Sequence, residues 1–151
     1  MILKFGGHAA AAGLTLRESD FERFATAFET AARAALTAAD LEEEVDTDGS
    51  LPITDATVAN AQLLREQVWG AGFPEPRFVD CFQVLDQRIV GDRHLKLRLA
   101  REQREFEGIL FGATARLPPH IEAVYRLDLN AHDGNRRAQL TVHHWLAAGP
   151  R

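Results

Sequence analysis

The spacing of apolar residues changes period near residue 77. Ahead of that point they recur at three- and four-residue steps. Phe21, Phe24, Ala25, Phe28, Ala32 and Leu36 mark one face of a long helix whose other face carries Glu22, Arg23, Glu29 and Arg33. Ser19 with Glu22 three residues later reads as a capping box, and the pattern carries the helix to about Asp40. A phenylalanine stripe opposite a polar face predicts packing onto a sheet. Residues 41–45 read as a strand and Asp48, Gly49 and Ser50 as a turn. Thr54 reads as the N-cap of a second helix running to about Gln67, with Val58, Ala61 and Leu64 inward, which would connect the two halves of the chain.

Residues 69–76 are a loop by their Gly and Pro content, and beyond them the rhythm becomes alternation. Phe78, Phe82, Val84 and Ile89 mark a first strand that turns at Gly91 and Asp92. Leu95, Leu97 and Leu99 alternate with Lys96 and Arg98, with Arg101 just beyond, so one face is apolar and the other basic. Residues 106–111 form a third strand in which Gly108 signals a bend or bulge. Residues 124–129 form a fourth, Asp133 and Gly134 a hairpin turn, and residues 139–146 a fifth. Five strands with short turns and no long helix among them suit a small closed barrel. The oligonucleotide-binding (OB) type fits best, and pattern alone leaves an SH3-like barrel open.

Composition sharpens this division. Residues 1–68 hold five basic and twelve acidic groups, whereas residues 69–151 hold twelve basic and ten acidic. The second half is therefore the better candidate for meeting a polyanion, through a local basic track rather than a strongly basic surface. No run of about 18 apolar residues occurs, so no helical membrane span is expected. Gly6, Gly7 and His8 interrupt the apolar stretch that a secretory leader needs. A lone cysteine, Cys81, rules out an intramolecular disulfide, is compatible with a reducing cytoplasm, and reads beside Phe82 as a small buried hydrophobe.

Candidate chemistry begins at residues 6–13, GGHAAAAG, between the apolar runs 2–5 and 14–16. Adjacent glycines can turn the backbone and uncover amide donors, and alanines 9–12 can start a helix at once. That arrangement suits a small anion, with His8 adding a donor. The string FGGHAAAAGLTL resembles the signature of the DHH-associated domain, the second domain of DHH-family phosphoesterases. The resemblance implies that Gly6, Gly7 and His8 contact substrate phosphates, with Ala11, Ala12 and Gly13 as close-packed support. Further along, WGAGFPEP, VLDQRIVGDRHLKLRL and YRLDLN resemble the C-terminal part of the RecJ family of single-strand-specific exonucleases. With the first block they span nearly the whole chain.

The resemblance implies an α+β chain: a partial DHH-associated domain over residues 1–50, a connector helix and Gly/Pro loop over 51–76, and an OB domain over 77–151. It also implies a cytoplasmic parent enzyme that cuts single-stranded DNA from 5′ to 3′ with Mn2+ or Mg2+. The name-giving Asp-His-His triplet is absent from this sequence. Glu42, Glu43 and Glu44 point to alternate faces, as do His143 and His144, and His132 and Asp133 lead into a turn, so none of these sets converges on one ion. His144 shares the face of Leu140 and Val142 and reads as a core-edge residue. The expectation is a chain that holds no metal and is inactive alone, leaving 5′-phosphorylated single strands intact.

For the barrel the expectation is single-strand binding, with Arg88, Arg93, Lys96, Arg98 and Arg101 on phosphates and a few aromatics on bases. Tyr125 shares its face with Leu127 and Leu129 and should be buried. Trp145 alternates with core positions and should be exposed, while Trp69 and Phe73 lie in the loop between the halves. The alternative is a non-catalytic module that binds nucleic acid or docks single-strand-binding protein or other repair proteins. A small oligoribonuclease or nucleotide phosphatase of the same superfamily would share the glycines but not residues 77–147. With Met1 falling inside the expected sheet, an exposed edge and the phenylalanine face should drive a homodimer or swap through residues 1–50.

Overall fold

The computed structural model describes residues 2–9, 11–42, 44–131 and 134–149. The chain divides into two compact units, Met1–Val45 and Asp46–Arg151. Glu43, His132 and Asp133, named above as rejected ligands or turn residues, lie outside the described residues, as does Met1.

In the first unit β1 (Ile2–His8) and β2 (Ala11–Leu16) form an antiparallel hairpin that pairs Gly6 with Gly13, Gly7 with Ala12 and His8 with Ala11. The helix expected over residues 9–12 is therefore not formed by its described residues, Ala11 and Ala12 being in β2. Cross-strand pairing overrides the intrinsic preference of alanine, which is worth only fractions of a kcal/mol, roughly 0–0.7, per residue. Gly7 has no room for a side chain: a Cβ there would lie 2.7 Å from the Ala11 carbonyl oxygen and 2.8 Å from the Ala12 Cα.

Helix α1 (Phe21–Ala35) follows a single 3-10 turn at Glu18–Asp20 and makes no side-chain cap, so the Ser19–Glu22 capping box is not used. It also stops short of Asp40. Leu36 is extended, and Asp40 instead accepts from the Thr37 amide at 2.7 Å and the Thr37 hydroxyl at 2.6 Å, closing a separate turn. That turn, Ala39–Leu41, occupies the start of the expected 41–45 strand, which does not form among its described residues. No described residue of this unit is buried, and Phe5, Phe21, Phe28 and Leu41 are each more than half exposed.

The second unit realises the alternation read from the sequence. Strands β3 (Phe78–Val90), β4 (His94–Arg101), β5 (Arg104–Phe111), β6 (His120–Asn130) and β7 (Arg137–Ala147) close a barrel in the order β3-β4-β5-β7-β6. All neighbours are antiparallel except β5 and β7, whose parallel pairing from Glu107↔Gln139 to Leu110↔Val142 seals the wall. Leu95, Leu97, Leu99, Phe106, Leu110, Ile121, Tyr125, Leu127, Leu140 and Val142 fill the interior. Closure removes the free strand edges that an open sheet would leave.

Gly108 plays a different part from the one its pattern suggested. The β4–β5 register runs through it without a shift, and the irregularities fall at Val84/Asp86 and Val124/Tyr125. Gly108 points inward, where a Cβ would stand 3.2 Å from Leu99 Cδ1 and 3.3 Å from Leu97 Cβ. It marks a close approach of strands rather than a bend.

Helix α2 (Val58–Glu66) lies against β6, with Ala61 fully buried. Its N-cap is Thr57, whose hydroxyl accepts from the Asn60 amide at 3.2 Å, and not Thr54, which sits in the 3-10 turn Ile53–Asp55. Residues 48–56 are stitched to the barrel. Asp48 and Gly49 exchange backbone hydrogen bonds with Arg77 and Val79. Arg101 donates to the Leu51 carbonyl at 2.9 Å, and Arg104 donates to the Ile53 and Ala56 carbonyls.

Candidate nucleic-acid interface

Strand parity brings three of the five expected cations, Arg88, Lys96 and Arg98, to one outer face, while Arg93 lies in the turn between β3 and β4. With Leu95, Leu97 and Leu99 inward, His94, Lys96 and Arg98 point outward on β4. Register then sets Arg88 opposite Lys96, and Lys96 opposite Ile109. One step toward the barrel mouth, His94 stands opposite Phe111, their rings 5.0 Å apart and edge to face. Phe111 is 57% exposed. The His94 Nδ1 accepts from the Gly112 amide at 3.0 Å, which fixes that ring as a hydrogen-bond acceptor on this edge. A half-exposed aromatic pair at the end of a column of cations is the arrangement that single strands use, bases stacking on rings and phosphates meeting charge.

The face is not uniformly basic, because β5 places Glu105 and Glu107 beside the lysine and arginines. Lys96 pairs with Glu107 at 3.2 Å, Arg137 with the same carboxylate at 2.9 Å, and Arg98 with Glu105 at 3.9 Å. Burial alone would raise the Glu107 pKa, but its hydrogen bonds and charges with Lys96 and Arg137 hold it below the usual carboxylate range. Among the described residues Arg88, Arg93 and Arg116 form no ion pair and remain open to an incoming anion.

Arg101, expected on phosphate, is turned to structural use. Its guanidinium lies 2.7 Å from the buried Asp80 carboxylate, which also accepts from the Tyr125 hydroxyl at 2.7 Å, Ser50 Oγ at 2.6 Å and the Leu51 amide at 3.2 Å. Burial and then the Asp80 hydrogen bond push the Tyr125 phenol well above the ordinary tyrosine range, so it stays a hydrogen-bond donor. Tyr125 is buried, as its alternation required, and Trp145 is partly exposed. Trp69 packs on Phe73 at 5.1 Å and donates to the Leu64 carbonyl.

Cys81 is not a core residue. Asp80 and Phe82 take the inward positions, and Cys81 is half-buried on the outer face, its Sγ 3.8 Å from Glu122 Oε2. His143 accepts from Arg126 Nε at 2.8 Å, and burial followed by the charges of Arg126 and Arg77 holds its pKa below the ordinary histidine value. Gly6, Gly7 and His8 lie exposed on β1, with no helix N-terminus behind them. Among the described residues no three His, Cys, Asp or Glu side chains gather in a way that could hold a metal ion, so the residues in hand do not fit a divalent cation.

His94, Phe111 and Arg116 escaped sequence reasoning. Parity held the signal for the first two: His94 is two residues before Lys96, and Phe111 two after the outward Ile109.

The family described as "RecJ OB domain" matches residues 47–144. The chain is 40% identical over 152 residues to the single-stranded-DNA-specific exonuclease RecJ of Dickeya dadantii, covering 95% of this chain and 26% of that protein. It is likewise 40% identical over 150 residues to RecJ of Escherichia coli, covering 94% and 26%. Among solved structures, RecJ from Thermus thermophilus in complex with Mg2+ superposes with a TM-score of 0.70 at 27% identity, covering 99% of this chain and 24% of that one. Its Mn2+ complex superposes with a TM-score of 0.71 at 27% identity, covering 99% and 22%. The chain thus spans about a quarter of the length of these relatives. No described helix is long and apolar enough to cross a membrane.

Proposed function

The chain belongs to the RecJ OB domain family, and from that membership we propose that it is the single-strand-binding region of a RecJ-like 5′ to 3′ DNA exonuclease. The observation that carries the reading is the outer face of β3, β4 and β5, where the His94–Phe111 pair ends a column containing Arg88 and Lys96. Bases stack on Phe111, and the backbone runs along the arginines. Gly6, Gly7 and His8 add phosphate contacts from the first unit, a role that rests on the resemblance of their motif. The Mg2+ or Mn2+ of the parent enzyme belongs to residues outside this set, so no hydrolytic step is assigned to the side chains described.

Titration of a labelled dT oligomer with the full chain at rising salt tests this. Three unpaired arginines imply about three displaced counterions and a slope of log K against log salt of roughly −2, because each phosphate contact on a single strand adds about −0.7. Absence of binding at every salt concentration would instead favour a barrel that docks a protein.

The exposed apolar side chains of the first unit favour a second reading for residues 2–41. Phe5, Phe21, Phe28 and Leu41 form no buried core of their own, and apolar surface of this kind marks an interaction site. We propose that it pairs two copies of this chain. Sedimentation at tens of micromolar should give the mass of a dimer, and a monomer throughout that range contradicts the pairing.

A further inference from the structure

The outer face of the barrel changes sign along its length. On β4 the outward cations stop at Arg98, and two residues on Ala100 stands between Gln83 of β3 and Glu105 of β5. From that rung a groove of about 810 Å3 runs over the starts of β3 and β6, bordered by the turn between β4 and β5 and by Ala148 and Gly149. We propose that this groove docks an extended, lysine- or arginine-rich segment of a partner protein.

The charge of the groove points to a cationic occupant. Asp80, Glu102 and Glu122 line it against a single guanidinium, that of Arg101, which is held by Asp80 at 2.7 Å and approaches Glu102 at 3.4 Å. Glu102 is 70% exposed, and Glu122 enters no ion pair among the described residues. Register sets Glu122 beside Cys81 on the outer surface, and Glu105, only 3.9 Å from Arg98, extends the acidic rim. Arg77 and Arg126 lie outside the lining, and Arg126 is held by Glu75 and His143. A nucleic-acid backbone would meet like charge in this groove, whereas a basic segment meets its complement.

The backbone supplies a second kind of contact. On the side away from β6, the 48–49 segment covers β3 as far as Val79, whose amide donates to the Gly49 carbonyl at 2.9 Å, and β4 covers it only from Gln83 onward. Cys81 falls between them. Two residues from Val79, it presents its amide and carbonyl in the same direction, and no described strand pairs with it there. Such an uncovered stretch of strand edge is where an extended chain adds through main-chain hydrogen bonds. Val79, Ala100 and Ala148 set apolar surface beside the carboxylates, which suits a segment whose basic and apolar side chains alternate. The rim is held before a partner arrives. Arg101 donates to the Leu51 carbonyl and to Ser50 Oγ, and the Ala148 amide donates to the His120 carbonyl at 3.0 Å, which lowers the ordering cost of binding.

Cys81 is the one cysteine of the chain and lines the groove, so its alkylation by iodoacetamide reports occupancy. The test uses the full chain and a dye-labelled, end-blocked peptide of alternating lysine and valine. At saturation this peptide should slow alkylation severalfold, while the matching glutamate–valine peptide and a dT oligomer leave the rate unchanged. Glu122→Gln should weaken the peptide about threefold, and Glu122→Gln with Glu102→Gln about tenfold, the weight of one and of two exposed ion pairs. Glu29→Gln, which removes the same charge from the first unit, should leave the affinity unchanged. A peptide that does not protect Cys81, or that binds the double variant as tightly as the unaltered chain, overturns the proposal. Protection by the dT oligomer would assign the groove to nucleic acid and overturn it as well. So would alkylation that slows with protein concentration alone, the sign of a second copy seated there.

Discussion

Replacing Asp80 with alanine should lower the stability of the second unit by about 3–5 kcal/mol, the range found when one partner of a buried ion pair is removed. The side-chain exposures are 6% for Asp80 and 15% for Arg101, so the guanidinium cannot simply turn to water. The carboxylate accepts from Arg101, Tyr125, Ser50 and the Leu51 amide. Its loss orphans a buried phenol and a buried cation, and also unpins the segment that Arg101 ties down through the Leu51 carbonyl. Domains of this size are held by about 5–15 kcal/mol in all, so the variant should be partly unfolded at 37 °C. Tyr125→Phe is the matched control. It removes one of four donors and should cost only about 0.5–1.5 kcal/mol. Urea unfolding of both proteins checks the pair: equal, small losses would mean that Asp80 does not organise the barrel wall.

Gly108→Val should cost about 1–3 kcal/mol through overpacking. The added side chain enters the barrel between Leu97 and Leu99, where even a Cβ lies within 3.3 Å of both. It does so at the rung that joins Gly108 to Leu140 across the parallel seam closing the cylinder. Gly108→Ala should be milder, since Leu99 Cδ1 is the mobile end of a side chain and the less flexible alanine backbone offsets part of the crowding. The urea midpoint should fall in the order glycine, alanine, valine with the slope of the transition preserved. A valine variant as stable as the parent would show that Leu97 and Leu99 of β4 do not crowd this position.

Alternation made the barrel legible because inward and outward positions repeat every two residues and the turns at Gly91 and Gly134 carry glycine. The five strands followed, and so did the burial of Tyr125. What one strand cannot report is its neighbour. The basic face of β4 was plain in Lys96 and Arg98, but the glutamates that neutralise it belong to β5 and meet them only through register. Arg101 looked like the next member of that track. It lies at the end of the strand, where a buried carboxylate 21 residues earlier in the chain captures it. Local propensity misled in the first unit for the same reason. Alanines 9–12 favour a helix in isolation, yet Ala11 and Ala12 pair with His8 and Gly7 in a hairpin. The N-cap moved from Thr54 to Thr57 because Pro52 and Ile53 begin a 3-10 turn before α2 starts.

The dT titration repeated with Phe111→Ala asks whether the strand runs over the outer face of the barrel. This side chain is exposed on the outer face, and its one aromatic contact among the described residues is His94, so its removal leaves the core untouched. A base stacked on it contributes about 1–3 kcal/mol, so affinity should fall roughly tenfold or more while the salt slope stays where the arginines set it. Unchanged affinity would contradict the account, because the strand would then run over some other part of the barrel.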